Sequence, residues 1–141
     1  MNAGASPRIL LRPLQDDDLP GIEAWFGQAV GRTELLVIVG THDGAALGCV
    51  EYHTDEPAAG WLTIARIAVE PGKRGFGYGG EAVRLVESAA DAQRFLAKVD
   101  PKSGLSLYFW LRMGYRPARP GEVFWRRWDE GGTIAMIRDA G

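Results

Sequence analysis

The run Lys73-Arg74-Gly75-Phe76-Gly77-Tyr78-Gly79-Gly80-Glu81 concentrates more potential chemistry than any other stretch of this sequence. Five glycines fall within the nine residues from Gly72 to Gly80, beside two cations. Three uses fit such a composition. Gly75, Gly77 and Gly80 match the G-x-G-x-x-G fingerprint of a dinucleotide site, with Asp100 twenty residues on as the ribose-binding acid. That fingerprint follows its strand directly, whereas Glu70-Pro71-Gly72-Lys73-Arg74 intervenes here. The 41 residues after Asp100 are also too few to complete a doubly wound domain. Arg74-Gly75-Phe76-Gly77-Tyr78 fits the first five positions of an RNA-recognition octapeptide as well. In that motif the strand continues so that aromatics can stack bases, but Gly79-Gly80-Glu81 leads into a helical pattern instead. The third use is a phosphate cradle at a helix N-terminus. Glycines let backbone N–H groups approach an anion, Lys73 and Arg74 add charge, and the helix contributes its free amides and dipole. The context favours this third use. A Walker-type GxxxxGK[ST] is absent, which argues against a nucleoside triphosphatase.

The elements around that run follow from periodicity and punctuation. Residues 9–12 predict a first strand, stopped by Pro13. Asp16-Asp17-Asp18-Leu19-Pro20 predicts a helix start in which a carboxylate caps free amides, so no metal is needed to explain three adjacent acids. Ile22, Trp25, Phe26 and Val30 supply the buried stripe of that helix. The apolar run of residues 35–39 predicts a strand covered on both faces. Residues 47–53 return as a second strand after the His42-Asp43-Gly44 turn, and residues 61–69 form a third. From Gly79 a helix presents Ala82, Val83, Val86, Ala89 and Ala90 on one face, with Glu81, Arg84, Glu87 and Asp91 opposite. Residues 95–99 form a short strand. Asp100-Pro101 then predicts a helix start, with the helix running to Met113 and closing at Gly114. Residues 123–128 and 133–138 flank Asp129-Glu130-Gly131-Gly132 as a hairpin. No internal repeat or linker interrupts the order, so residues 1–141 read as one domain of mixed α/β class.

With these elements in place the chain resembles the GNAT superfamily of acetyl-CoA-dependent N-acetyltransferases. The specific part is Ile67-Ala68-Val69-Glu70-Pro71-Gly72-Lys73-Arg74-Gly75-Phe76-Gly77-Tyr78-Gly79, similar to that family's signature strand and pyrophosphate loop. Leu11-Arg12-Pro13 through Leu19-Pro20 resembles its opening strand and helix. Phe109-Trp110-Leu111-Arg112-Met113-Gly114-Tyr115 resembles its later helix and closing glycine–aromatic pair. The resemblance implies a mostly antiparallel sheet with flanking helices and a central parallel strand pair that splays to admit the cofactor. It implies that Ile67, Ala68 and Val69 offer backbone groups to the pantetheine arm of acetyl-CoA. It likewise implies that Arg74, Gly75, Phe76, Gly77, Tyr78, Gly79 and Gly80 wrap the pyrophosphate with main-chain amides. The resemblance further implies that the amine acceptor attacks the thioester directly, so Cys49 is not read as a nucleophile.

Two positions depart from the family pattern. Trp110 stands where a tyrosine often protonates the leaving thiolate, and an indole N–H is a donor but no useful acid. Tyr108, about 200° away around the helix, should face elsewhere. Ser103 stands where an asparagine opens that helix. The family's glutamate base corresponds to Thr63; on the neighbouring strand Glu51 is the candidate base, and His53 on the same face could take the proton instead, either of them directly or through water. Both also fit a solvated strand face. Arg112, Arg116, Arg119, Arg126 and Arg127 form either an anion site or a solvated charged face, and the latter is the commoner outcome. Phe124, Trp125 and Trp128 read as core or interface. A module that binds acyl-CoA as a sensor without catalysis is the alternative function, and neither the acceptor, the acyl length nor monomer versus homodimer is legible.

The bulk arithmetic excludes the rest. The 141 residues are 46% apolar, with a net charge of −2, which gives no pull toward nucleic acid or an acidic membrane. Nineteen glycines make about 13% of the chain, against a usual share near 7%. Cys49 is the only cysteine, so no internal disulfide forms and no cysteine-based zinc site exists; no metal is expected. The longest apolar run is five residues, Leu35 to Val39, where a membrane helix needs about 20. The N-terminus lacks a charged-then-apolar signal pattern, so a cytoplasmic location is expected.

Overall fold

The computed structural model describes residues 4–26, 34–122 and 132–140. It has the predicted class: a mixed, mostly antiparallel sheet of seven strands with three α-helices. The elements are β1 (Ile9–Pro13), α1 (Leu19–Phe26), β2 (Leu35–Gly40), β3 (Ala46–Thr54), β4 (Trp61–Val69), α2 (Tyr78–Ala89), β5 (Arg94–Val99), α3 (Gly104–Arg112), β6 (Arg116–Pro117) and β7 (Ile134–Asp139). Two compact units divide the chain: Met1–Tyr52 with Arg66–Ala90, and His53–Ala65 with Asp91–Gly141.

In the first unit the strand order is β1-β2-β3-β4. β1 pairs antiparallel with β2 from Ile9↔Gly40 to Pro13↔Leu36. All six residues of β2 are buried, as a continuous apolar run requires of a strand covered on both faces. Ile22, Leu35, Val37, Val39 and Cys49 form the core, with Trp25, Phe26 and Ala68 packed against it. Each such apolar side chain contributes about 1.5–3 kcal/mol by leaving water. Between β2 and β3 the register slips: Ile38 faces Gly48 but Val39 faces Ala46, so Leu47 is an extra, bulged residue. α2 lies on β1 and buries Ala82, Val83 and Val86.

The acids of residues 16–18 open the first helix as a 3-10 turn that runs directly into α1. Asp18 supplies the expected capping carboxylate, accepting the Gln15 N–H at 2.8 Å in a capping box, and it also binds Arg12 through both oxygens at 2.7 and 2.9 Å. The arginine hydrogen bonds hold the Asp18 carboxyl below its usual range, against an opposing effect of burial. On α2, Glu87 is buried rather than solvated and accepts from Arg84 at 2.7 Å, while Ala89 at the last turn is exposed. Helical periodicity assigns a face, but where that face leaves the sheet depends on what lies beneath it.

In the second unit the order is β4-β5-β7-β6. β4 and β5 are parallel, from Trp61↔Arg94 to Ile64↔Ala97. β7 runs antiparallel along the whole of β5, and β6 adds Arg116 and Pro117 against Ile137 and Met136. α3 packs on β5. It begins at Gly104, not at Pro101, with Ser103 as N-cap accepting the Ser106 N–H at 3.2 Å. Asp100 instead accepts the Lys102 N–H within a turn, at 2.9 Å; a short acidic side chain serves either role, and the sequence offers both candidates. At the other end Gly114 has φ 88, with its N–H on Leu111 and that of Tyr115 on the Trp110 carbonyl, the left-handed closure expected of a glycine there. The hairpin strand expected over residues 123–128 lies outside the described residues. So do Val30, Arg126, Arg127 and the aromatics Phe124, Trp125 and Trp128.

Candidate functional site

The first unit builds the candidate site from the end of β4. Residues Leu62 to Ala65 are buried, and from Arg66 to Val69 the strand is half-buried. Gly48 on β3 lets the two strands come close: a Cβ there would overlap the Ala68 carbonyl oxygen and stand 3.0 Å from Val69 Cα. The bulged Leu47 turns its carbonyl to the Glu70 N–H at 2.7 Å, which pins the chain where strand becomes loop. Pro71–Lys73 form a 3-10 turn, and Arg74 Nε donates back to the Val69 carbonyl at 3.0 Å.

Gly75 and Gly77 then take φ values of 87 and 86, a left-handed conformation that costs other residues about 1–2 kcal/mol. Gly77 is the N-cap of α2 and no side chain caps that end. The N–H of Glu81 is bonded to the Gly77 carbonyl, at 3.1 Å, so the three amides before it, of Tyr78, Gly79 and Gly80, precede the helical ladder. A Cβ at Gly72 or Gly75 would meet nothing within 4 Å. The loop is therefore exposed, open on its glycine side, and carries consecutive donors at a positive helix end, beside Lys73 and Arg74. Free amides at a helix N-terminus beside cations favour negative charge.

The candidate catalytic groups are placed as follows. Glu51 Oε1 accepts from Arg66 Nε at 2.9 Å and from Nη2 at 2.6 Å, and the same guanidinium stacks 4.3 Å from the Phe26 ring centroid. Glu51 is thus an ion-paired carboxylate. Thr63 is fully buried and its hydroxyl donates to the Glu56 carbonyl at 2.7 Å. Trp110 is 4% exposed, packed edge-on to Tyr115 and Phe109 with ring centroids 4.7 and 5.0 Å away. Tyr108 is 61% exposed, facing away from Trp110 as the helical angle required. Ser103 serves as the α3 cap described above.

Of the arginines, Arg116 forms a two-point ion pair with Glu122, both bonds 2.8 Å. That pairing, with the Arg119 N–H, holds the Glu122 carboxyl down at about 2. Arg112 stacks on Tyr108 at 5.6 Å. Arg116 is thereby committed to a carboxylate of its own chain. Among the described residues no group of His, Cys, Asp and Glu could hold a metal ion, and no helix is long and apolar enough to cross a membrane.

Cys49 is buried, and desolvation pushes its thiol up to about 12 although Arg66 opposes this. A thiol so protonated is a poor nucleophile. Folded protein should therefore resist an aromatic disulfide reagent at neutral pH and react within seconds once denatured in guanidinium. Equal rates in the two states would show that the thiol is accessible.

The residues that neither motif nor periodicity singled out are Arg8, Gly48 and Arg66. Gly48 carried a usable signal, since a glycine inside a strand pattern often marks a close backbone approach. Arg8 and Arg66 carried none, because their partners are distant in sequence.

A mixed sheet with one parallel strand pair, and a glycine loop with uncapped amides leading from β4 through a 3-10 turn into α2, define the class as α/β. The model of the Acetyltransferase (GNAT) family matches residues 7–115, and the chain belongs to that family. No curated protein matches it. Among solved structures, N-acetylglutamate synthase from Neisseria gonorrhoeae, complexed with coenzyme A and N-acetyl-glutamate, has a TM-score of 0.77 at 19% identity, over 97% of this chain and 36% of that one. This chain thus spans little more than a third of that synthase. An acetyltransferase from Thermus thermophilus gives 0.70 at 16% identity, over 94% and 97% of the two chains. Arabidopsis thaliana Naa50, in complex with the bisubstrate analogue CoA-Ac-MVNAL, gives 0.68 at 10% identity, over 94% and 99%. At these identities the likeness is one of fold.

Proposed function

We propose that this chain, working as one domain over residues 1–141, transfers an acetyl group from acetyl-CoA to a primary amine. The observation that carries the reading is the loop from Arg74 to Gly80. Two left-handed glycines, Gly75 and Gly77, bring main-chain N–H groups to an open surface at the uncapped start of α2. Acetyl-CoA supplies an activated thioester, whose carbon–sulfur bond breaks as the carbon–nitrogen bond to the amine forms. In this reading Arg74 to Gly80 hold the diphosphate, and the backbone of Ile67, Ala68 and Val69 aligns the pantetheine arm. Ser103 and Trp110 are proposed as further cofactor contacts. The acceptor's proton passes to Glu51 or to water, and the leaving thiolate takes its proton from solvent. The reading places the reaction in the cytoplasm, where the buried Cys49 thiol stays reduced.

The second reading, an acyl-CoA sensor without catalysis, is favoured by Thr63 and Trp110. One hydroxyl is engaged with a main-chain carbonyl and one ring is buried against Tyr115, so neither offers an acid or base. A thiol-release assay over a panel of amines separates the two, because a sensor binds acetyl-CoA but releases no thiol. Absence of any stabilisation by acetyl-CoA or CoA would sink both. If turnover is found, a shifted pH–rate profile in Glu51→Gln assigns the base to Glu51, and an unchanged one assigns it to water.

A further inference from the structure

We infer that Arg8 is a positioning residue for the diphosphate loop: it orients the loop's backbone and neutralises Glu81 so that the loop accepts an anion. This rests on the loop reading above and adds a residue to it. Arg8 lies before β1, yet its side-chain partners are 68 to 73 residues away. Its Nη2 donates to the Phe76 carbonyl at 2.7 Å. The guanidinium pairs with Glu81 Oε1 at 2.5 Å, and it lies 4.7 Å from the Tyr78 ring centroid. Ser6 Oγ donates to the other Glu81 oxygen at 2.9 Å. The backbone that delivers Arg8 is itself tied down, since Thr41 donates its hydroxyl to the Pro7 carbonyl at 2.6 Å and its N–H to that of Arg8 at 2.9 Å.

Two physical consequences follow. A trans peptide places its C=O and N–H on opposite sides. With the Phe76 carbonyl held toward Arg8, the Gly77 N–H must point away from Arg8, into the open side of the loop. Arg8 also covers the side of Gly77 from which a Cβ would project, 3.2 Å from its Nη2. Second, Glu81 sits in the first turn of α2, close enough to the proposed diphosphate for its charge to oppose binding within a Debye length of about 8–10 Å. Arg8 and Ser6 together occupy both of its oxygens.

Because the pair is partly exposed, 45% and 30% for the two side chains, it adds little to folding. Its effect should appear in binding. Calorimetric titration of CoA into Arg8→Ala is expected to give a Kd weaker by about tenfold, the scale of one charge-assisted hydrogen bond. The melting temperature of the ligand-free protein should stay within about 2 °C, as for other exposed ion pairs. Arg8→Lys, which keeps the charge but cannot reproduce the planar donor set, should lie between the two. Adding Glu81→Gln to Arg8→Ala should recover part of the affinity. Wild-type affinity in Arg8→Ala overturns the inference. A double variant as weak as Arg8→Ala overturns the charge-neutralising half and leaves the Phe76 contact as the means by which Arg8 acts. If wild-type protein takes up no CoA, it is the loop reading that fails, before the variants are compared.

Discussion

Gly77→Val is expected to abolish the stabilisation that the proposed binding of acetyl-CoA would confer on the wild-type protein. A ligand at 100 times its Kd stabilises a fold by about 2.7 kcal/mol, which for a chain of this size raises the melting temperature by roughly 10 °C. Gly77 contributes to that binding in three ways. Its φ of 86 turns the chain into α2, its amide lies at the mouth of the loop, and its open side is filled by Arg8. Valine opposes all three, because a β-branched residue at positive φ is a strong outlier and its Cβ would press on the Arg8 guanidinium. The loop must move, and the amides move with it. Gly72→Ala is the control, since a Cβ there meets nothing and the φ is not left-handed. It should leave both melting temperature and shift unchanged. A full acetyl-CoA shift in Gly77→Val would show that the anion is held elsewhere.

The second large effect is expected from Gly48→Ala, a change of one methyl group far from the glycine run. That methyl would overlap the Ala68 carbonyl oxygen, with the Ala68 carbonyl carbon only 3.1 Å away. The obstacle is backbone, so no rotamer change relieves it and β3 must part from β4. Overpacking of this kind costs about 1–3 kcal/mol or more, and a fall in melting temperature on the order of 10 °C is expected. The same displacement shifts Ala68 and Val69 and stretches the Leu47–Glu70 bond, so affinity for CoA should fall alongside stability. A stable variant with unchanged CoA affinity would show that strand spacing at this point does not govern the loop.

Much of the fold was legible because it rests on local rules. The run Leu35-Leu36-Val37-Ile38-Val39 can only be a strand with both faces covered, and it is. The pattern from Ala82 to Val86 can only be one face of a helix. The expected bounds of β4 match the strand observed, Trp61–Val69. The misreadings arose where one residue type serves two local geometries. Asp100 and Ser103 both qualify as helix caps, and the chain uses Ser103. Glu87 qualifies as solvated and is buried. In each case the deciding partner lies on the same element or the next, but its geometry is set by packing.

What the sequence determined by itself was the glycine loop and the order of elements around it, because glycine spacing, a preceding strand and a following helix are properties of contiguous residues. What only the tertiary structure decided was what holds that loop in shape. Arg8 reaches Phe76 and Glu81 across about seventy residues, and Gly48 admits Ala68 from the next strand. Each is a contact between residues with no shared local pattern. Such contacts exist only once strands and helices are in place, since the entropy of bringing distant segments together is met by the core as a whole and not by the pair.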